Sequence, residues 1–236
     1  MNTLADPVDV AALAARLTDL DARVDDAVRA AGRAPDEVTR IVVTKFHPAA
    51  LVEALAGLGV RDVGENRQQE LTAKRAELAG LDVRWHYIGQ LQTKKARAVR
   101  AAASLVHSVD SVRLADALDA AATEASPVLD VLLQVNLTDD PGRGGVSPHD
   151  LPRIAEHVGA LETLRVRGVM AVAPLDESPA AAFERLAGYS DAVRAIVPDA
   201  TWISAGMTAD FAEAISAGAT HLRIGSAITG PRPDRG

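Results

Sequence analysis

The sequence predicts an α/β fold, a single (β/α)8 barrel over residues 1–236 with one extra helix at its N-terminus. Eight short apolar runs are each followed by a helix-like stretch, and strict alternation of strand and helix implies a parallel sheet. The runs are apolar on both faces, as the buried strands of parallel sheets are. Eight such units over about 200 residues match a (β/α)8 barrel.

A doubly wound open sheet is the alternative fold, because it shares the same alternation. It would need fewer strands, and no Gly-x-Gly-x-x-Gly motif follows the first strand. No repeat, low-complexity tract or linker divides the sequence, so we expect one domain.

The first element is an amphipathic helix over residues 9–31. Its apolar side chains recur at steps of three and four and therefore share one face: Val10, Leu13, Leu17, Leu20, Val24 and Val28. Gly32 and Pro35 end this helix.

The alternating elements follow in order. Apolar runs predict strands over 38–44, 60–63, 84–88, 105–109, 128–135, 164–170, 201–204 and 220–224. The intervening segments predict helices over 49–58, 68–78, 92–102, 112–125, 148–160, 179–196 and 209–217. Ser111 is a candidate N-cap, and Ser147 with Pro148 is expected to cap and open the next helix. The segment 138–148 is rich in Gly, Pro and Asp and predicts a loop.

Composition excludes several classes of protein. Apolar residues make up 48% and charged residues 24%, which is typical of a globular domain. The absence of cysteine excludes disulfides, cysteine nucleophiles, zinc knuckles and iron–sulfur clusters. The net charge of −7, without a basic-aromatic run, argues against nucleic-acid binding. Without a secretory signal or a long apolar stretch, we expect a cytoplasmic protein that binds no membrane.

In a (β/α)8 barrel the functional residues lie at the C-terminal ends of the strands. Lys45 follows the first apolar run directly. Partial burial there would lower its pKa, and a neutral amine is a nucleophile that forms Schiff bases with carbonyl groups. The alternative is an ordinary surface lysine at the start of a loop.

The last two strands end in glycine-rich turns. Ser204-Ala-Gly-Met follows the seventh strand and Arg223-Ile-Gly-Ser the eighth, at the usual phosphate site of this barrel. Backbone N–H groups, hydroxyls and an arginine suit an anion. The alternative is a pair of turns that only join strand to helix. Because the barrel closes, Lys45 would lie beside these turns, and the site would suit either pyridoxal 5′-phosphate (PLP) or a sugar phosphate bearing a carbonyl.

Eight short segments in order along residues 10–232 make the sequence recognisable. They are VTKFHP (43–48), GENR (64–67), HYIG (86–89), HSVD (107–110), QVN (134–136), GVM (168–170), SAGM (204–207) and RIG (223–225). With them the chain resembles the pyridoxal phosphate homeostasis protein family, whose members share the alanine-racemase-like barrel, fold type III of the PLP proteins. Departures from the common pattern at Arg67, Gln90 and Lys94 leave the lysine and the two turns in place.

The resemblance implies site residues and a role. It implies that Lys45 holds PLP as a Schiff base and that Asn66 lies beside the cofactor ring. It also implies a pocket lined by Met170 and Met207, and an Arg223 that faces either the phosphate or the ring nitrogen. The phosphate-binding segments that it implies are Ser204, the Gly206-Met207 backbone, Arg223, Gly225 and Ser226.

Members of this family are regarded as carriers or regulators of PLP, with PLP-dependent apoenzymes as possible recipients. Racemases of this fold carry a second, β-rich domain that supplies acid and base groups, and we expect none here because few residues follow the last strand. We therefore expect a monomer without robust catalysis and without catalytic residues. The alternatives are a PLP-dependent amino-acid racemase and a Schiff-base aldolase acting on sugar phosphates.

Three buried-looking polar residues have other expected roles. His86 and His107 lie in or beside strands and are expected to be core residues with satisfied hydrogen bonds. Glu65 is expected to cap the following helix rather than to act as a general base. No histidine pair has a metal-binding spacing, so no metal site is predicted.

Overall fold

Eight parallel strands close into a barrel in the computed structural model, which describes residues 8–232. The strands are β1 Thr39–Val43, β2 Asp62–Glu65, β3 Arg84–Tyr87, β4 Leu105–Val109, β5 Leu129–Gln134, β6 Leu164–Met170, β7 Trp202–Ser204 and β8 His221–Ile224. Each strand pairs with the next, and β8 pairs with β1 in a register that sets Val42 opposite Ile224. The predicted (β/α)8 barrel is confirmed, and a doubly wound open sheet is excluded.

Helices surround the barrel in the predicted order. They are α1 Val10–Ala30, α2 Ala49–Gly57, α3 Gln68–Glu77, α4 Ala96–Ala102, α5 Val112–Asp119, α6 Leu151–Gly159, α7 Pro179–Arg194, α8 Phe211–Ser216 and α9 Ser226–Thr229. The extra N-terminal helix α1 packs against α8 and α9, and its Arg16 Nε donates to the Ile228 carbonyl at 2.6 Å. Both ends of the predicted domain, residues 1–7 and 233–236, lie outside the described residues. Among the helices described, none has the length and apolar character needed to cross a bilayer.

Three predicted helix boundaries are wrong for local reasons. The helix predicted to reach residue 125 ends at Asp119, because Thr123 and Ser126 form their own turn through a 3.0 Å bond from the Thr123 N–H to Ser126 Oγ. The helix predicted from 148 begins at Leu151, because Ser147 Oγ accepts from the Asp150 N–H and forms a separate turn. The helix predicted from 92 begins as a 3-10 turn over Thr93–Lys95.

The predicted N-cap of α5 is confirmed and gives a first test. Ser111 Oγ accepts from the Leu114 N–H at 3.3 Å, whereas Ser178 at the start of α7 makes no such bond. Ser111→Ala is therefore expected to lower the free energy of unfolding by about 1 kcal/mol. Ser178→Ala, the matched control, should change it by less than about 0.5 kcal/mol. Urea denaturation of both variants measures the difference, and equal effects would contradict the capping role.

Candidate functional site

A cavity of about 430 Å³ opens at the C-terminal end of the barrel, between β1, β2 and β8. Six of the nine predicted site residues line it: Lys45, Asn66, Met207, Arg223, Gly225 and Ser226. A larger cavity of about 700 Å³ lies over the loops after β5 and β6, but none of the nine lines it. There Glu177 and Arg185 already form an ion pair. The smaller cavity is therefore the candidate site.

Lys45 follows β1 and is partly buried in the cavity wall. Burial lowers the pKa of its ammonium group, and the positive charge of Arg232 lowers it further, although Glu70 opposes both effects. A lowered pKa increases the fraction of neutral amine at a given pH, and the neutral amine is the nucleophilic form. This environment distinguishes Lys45 from an ordinary surface lysine.

A buried ion pair holds the chain directly before Lys45. Lys74 Nζ lies 2.6 Å from Glu65 Oε1 and donates to the Thr44 carbonyl at 2.8 Å, while Thr44 Oγ1 donates to the same carboxylate oxygen at 2.6 Å. Glu65 is fully buried, and its burial raises the pKa of the carboxyl against the opposing charge of Lys74. The expected capping role of Glu65 is wrong: Arg67 occupies the N-cap of α3, and Glu65 instead anchors the end of β1.

The residue after Lys45 has an unusual backbone. Phe46 has φ 70°, in the left-handed region that residues other than glycine rarely adopt. Its N–H donates to Glu70 Oε2 at 2.7 Å, and its ring lies 4.8 Å from the Arg67 guanidinium and 4.3 Å from that of Arg232. These contacts stabilise a strained turn at the cavity, as is common at functional sites.

Asn66 carries an unsatisfied atom at the cavity wall. Its Oδ1 is buried and has no hydrogen-bond partner among the described residues. An unpaired buried polar atom is costly, and a ligand in the cavity would remove that cost. Gly89, two residues after β3, approaches this residue closely, since a Cβ there would lie 2.0 Å from the Asn66 carbonyl oxygen. The glycine therefore fixes the backbone position of Asn66.

Arg223 is buried and fully oriented. Its Nη1 donates to Ser204 Oγ and its Nη2 to the Ala171 carbonyl, both at 2.7 Å. Burial lowers the pKa of the guanidinium to about 10, with Asp210 opposing, so Arg223 still carries a charge at neutral pH. Arg223 therefore presents a fixed positive charge to the cavity.

Three predicted residues do not line the cavity. Ser204 is fully buried and bonds Arg223 and His107. Met170 packs in the barrel interior with Leu105, Leu132 and Trp202. The Gly206 carbonyl accepts from the Arg223 N–H, which directs that peptide to β8. Met207 does line the cavity, but its N–H donates to Asp210 Oδ1 at 2.6 Å.

The sequence argument missed several lining residues. The polar and aromatic ones are Phe46, His47, Thr208, Thr229 and Arg232. Phe46 and His47 lie within the VTKFHP segment, and Thr208 directly follows Met207, so including the next two residues after each predicted site residue would have found them. Arg232 lies beyond the last helix and reaches the cavity only because α9 turns the chain back toward β1, which no local signal shows.

Comparison with known proteins supports a single family. The sequence model for the N-terminal domain of alanine racemase matches residues 11–233. A pyridoxal phosphate homeostasis protein from Pseudomonas aeruginosa is 38% identical over 220 residues, covering 93% of this chain and 96% of the relative. One from Mycobacterium tuberculosis is 40% identical over 235 residues, covering 92% and 91%. The chain belongs to the pyridoxal phosphate homeostasis protein family.

Solved structures agree with this membership. PipY from Synechococcus elongatus, solved with PLP bound, is 35% identical, has a TM-score of 0.81, and is matched over 92% of this chain and all of its own. Alanine racemase from Corynebacterium glutamicum is 19% identical with a TM-score of 0.70, and this chain covers 65% of it, which shows the shared fold alone. The predicted alanine-racemase-like barrel of this family member is therefore confirmed.

Proposed function

We propose that the cavity binds PLP as a Schiff base on Lys45 and that the protein acts in PLP homeostasis. The observation that carries the proposal is a partly buried lysine of lowered pKa in one cavity with the Gly225-Ser226 turn and two arginines. Its relatives are named for PLP homeostasis, and PipY was solved with PLP bound. When bound, PLP supplies an aldehyde that condenses with an amine and releases water.

The lining residues fit a planar ring that carries a phosphate. Ser226 opens α9, and N–H groups in the first turn of a helix have no acceptor within that helix. Together with the hydroxyl of Thr208 and the charge of Arg232, this turn would hold the phosphate. Asn66 and Arg223 would meet the ring, because Asn66 has an unsatisfied atom and Arg223 a fixed charge at the cavity wall. Met207 would cover one side of the ring.

The three predicted residues that do not line the cavity would support the residues that do. They are Ser204, Met170 and Gly206. Ser204 orients Arg223, Met170 fills the barrel interior, and Gly206 fixes the backbone of Arg223. This arrangement favours a position of Arg223 on the ring side, since its guanidinium bonds Ser204 in β7 and the Ala171 carbonyl directly after β6 rather than the Gly225-Ser226 turn.

The chemistry of the lining favours a carrier over an enzyme. Among the described residues that line the cavity there is no carboxylate and no tyrosine. The remaining candidate base beside Lys45 is His47, whose pKa is lowered by burial and by the charges of Lys74 and Arg16. A positioned acid or base contributes roughly 10²- to 10⁴-fold to proton transfer. We therefore propose reversible PLP binding without robust turnover, by a single-domain monomer that delivers PLP to apoenzymes in the cytoplasm.

Two assays on the purified protein test this role. PLP is titrated while absorbance is recorded, and the loaded protein is then mixed with a PLP-dependent apoenzyme whose activity reports transfer. Binding, transfer and negligible turnover of amino acids are expected. Robust racemisation would instead support the racemase alternative. Absence of any PLP-dependent band, together with reduction of a sugar phosphate onto the chain by borohydride, would support the aldolase.

Arg232 is expected to contribute to affinity through its charge. Arg232→Ala should weaken PLP binding about 5-fold, because a partly screened charge in the cavity lining is worth roughly 1 kcal/mol to an anionic ligand. It should also move the pH profile of adduct formation to higher pH, since the Arg232 charge lowers the pKa of Lys45. Arg67→Ala is the matched control, because Arg67 also contacts the Phe46 ring but does not line the cavity. Equal effects of the two variants would contradict the account.

A further inference from the structure

A continuous line of buried polar side chains crosses the barrel interior. Asp62 Oδ1 lies 2.8 Å from His86 Nε2, and His86 Nδ1 lies 3.0 Å from His107 Nε2. His107 Nδ1 in turn lies 2.9 Å from Ser204 Oγ, which accepts from Arg223 Nη1 at 2.7 Å. The line begins at the first residue of β2 and ends at the cavity, and the bond from His107 to Ser204 connects β4 with β7 on the opposite side of the barrel.

An ionised Asp62 at one end and a neutral His86 together determine the direction of every bond. An ionised carboxylate only accepts, so His86 must donate from Nε2. A neutral His86 then accepts at Nδ1, and His107 must donate from Nε2 and accept at Nδ1. That leaves Ser204 to donate its hydroxyl proton to His107 while its lone pair accepts from Arg223. In this order every donor meets an acceptor.

The surroundings of the line support a neutral His107 and a charged Asp62. Burial lowers the pKa of His107 well below its ordinary value, and the positive charge of Arg223 acts in the same direction. Burial acts to raise the pKa of Asp62, but hydrogen bonds from His86 and Arg84 outweigh it and leave the pKa lowered. If His86 were doubly protonated, His107 would donate from Nδ1, Ser204 Oγ would accept from both His107 and Arg223, and the Ser204 hydroxyl proton would have no acceptor in the line.

We propose that Asp62, His86, His107 and Ser204 form one directional hydrogen-bond chain that positions Arg223 in the cavity. These four are positioning residues, because none of them lines the cavity. The carboxylate at the N-terminal end of the barrel sets the tautomers of both histidines. With these tautomers the Ser204 hydroxyl proton has an acceptor in His107, while Ser204 Oγ accepts from Arg223. The effect on PLP rests on the function proposed above, whereas the bond order within the chain does not.

Nitrogen-15 NMR of histidine-labelled protein without cofactor tests the chain directly. Both His86 and His107 are expected to carry the proton on Nε2. In Asp62→Ala, whose fold is checked by circular dichroism, His107 should change to a mixture of tautomers although it does not contact Asp62. The matched control is His221→Gln, because His221 is a buried histidine that bonds Thr220 and none of the residues of the hydrogen-bond chain. It should leave both signals in the Nε2–H form.

Two results would overturn the proposal: an Nδ1–H tautomer at His107 in the native protein, or a His107 signal that Asp62→Ala leaves unchanged. The tautomer of His107 in native protein is measured without any variant, so the proposal can still be overturned if Asp62→Ala misfolds. Ser204→Ala should weaken PLP binding roughly 10-fold, because it removes a hydrogen bond to a charged group. If the tautomers are as expected but native protein binds no PLP, the function proposed above is contradicted, whereas the hydrogen-bond chain is still supported.

Discussion

Lys45→Ala is expected to abolish the absorbance band that PLP gives when it bonds to a protein amine, and to leave no adduct after borohydride reduction. The physical reason is that Lys45 is the one amine among the described residues that line the cavity, and its lowered pKa keeps a neutral fraction available for attack on an aldehyde. Alanine removes the nucleophile, while the Gly225-Ser226 turn and Arg223 remain. Residual binding should therefore be non-covalent and weaker.

Lys94→Ala is the matched control for this result. Lys94 is exposed in the 3-10 turn before α4 and does not line the cavity. Its variant should titrate with PLP as the native protein does. An unchanged band in Lys45→Ala, or a band lost in Lys94→Ala instead, would contradict the assignment.

Lys74→Met is expected to destabilise the fold by about 3–5 kcal/mol, because it leaves the Glu65 carboxylate buried without its charge partner. For a chain of this length the melting temperature should fall by roughly 6–20 °C. The Thr44 carbonyl also loses its donor, so the chain before Lys45 should become less ordered. Differential scanning calorimetry and denaturant titration measure the loss.

The loss should depend on pH in a definite direction. Burial already raises the pKa of Glu65, and removing the opposing charge of Lys74 should raise it further. The folded state then binds the Glu65 proton more tightly than the unfolded state does. The variant should therefore be most stable below the ordinary glutamate pKa and should lose stability as pH rises through the folded pKa.

A double variant separates charge burial from packing. Glu65→Leu combined with Lys74→Met replaces the pair with apolar groups of similar size, and such replacements are often neutral. It should recover most of the stability that Lys74→Met loses, and it should show no pH-dependent loss. A double variant as unstable as the single one would show that the pair acts through shape rather than through charge.

The sequence predicted the barrel because its information is local and repeated. Strands β4 and β6 have the predicted bounds. The predicted apolar face of α1 is buried except for Val10, which is exposed in the first turn of the helix. The predicted end of α5 was wrong. Residues 120–125 have helical propensity, but the Thr123–Ser126 turn gives the backbone an alternative set of hydrogen bonds. Propensity alone does not reveal that competition.

The site was predicted where its residues lie at strand ends and missed where contacts are distant in sequence. Lys45 and Gly225 are fixed by the barrel itself. In contrast, His107 and Ser204 are 97 positions apart, and their bond appears only when β4 and β7 face each other. The same holds for Arg232, which reaches Phe46 through the turn of α9. Polar pairs across a barrel interior leave no pattern in the sequence.

The most direct test of the central claim is to map the lysine that PLP modifies in native protein after borohydride reduction. The chain has only four lysines, at positions 45, 74, 94 and 95, so peptide mass spectrometry can distinguish them. The account predicts one stoichiometric adduct on Lys45. An adduct confined to Lys94 and Lys95, or no adduct at any ratio of PLP to protein, would contradict it.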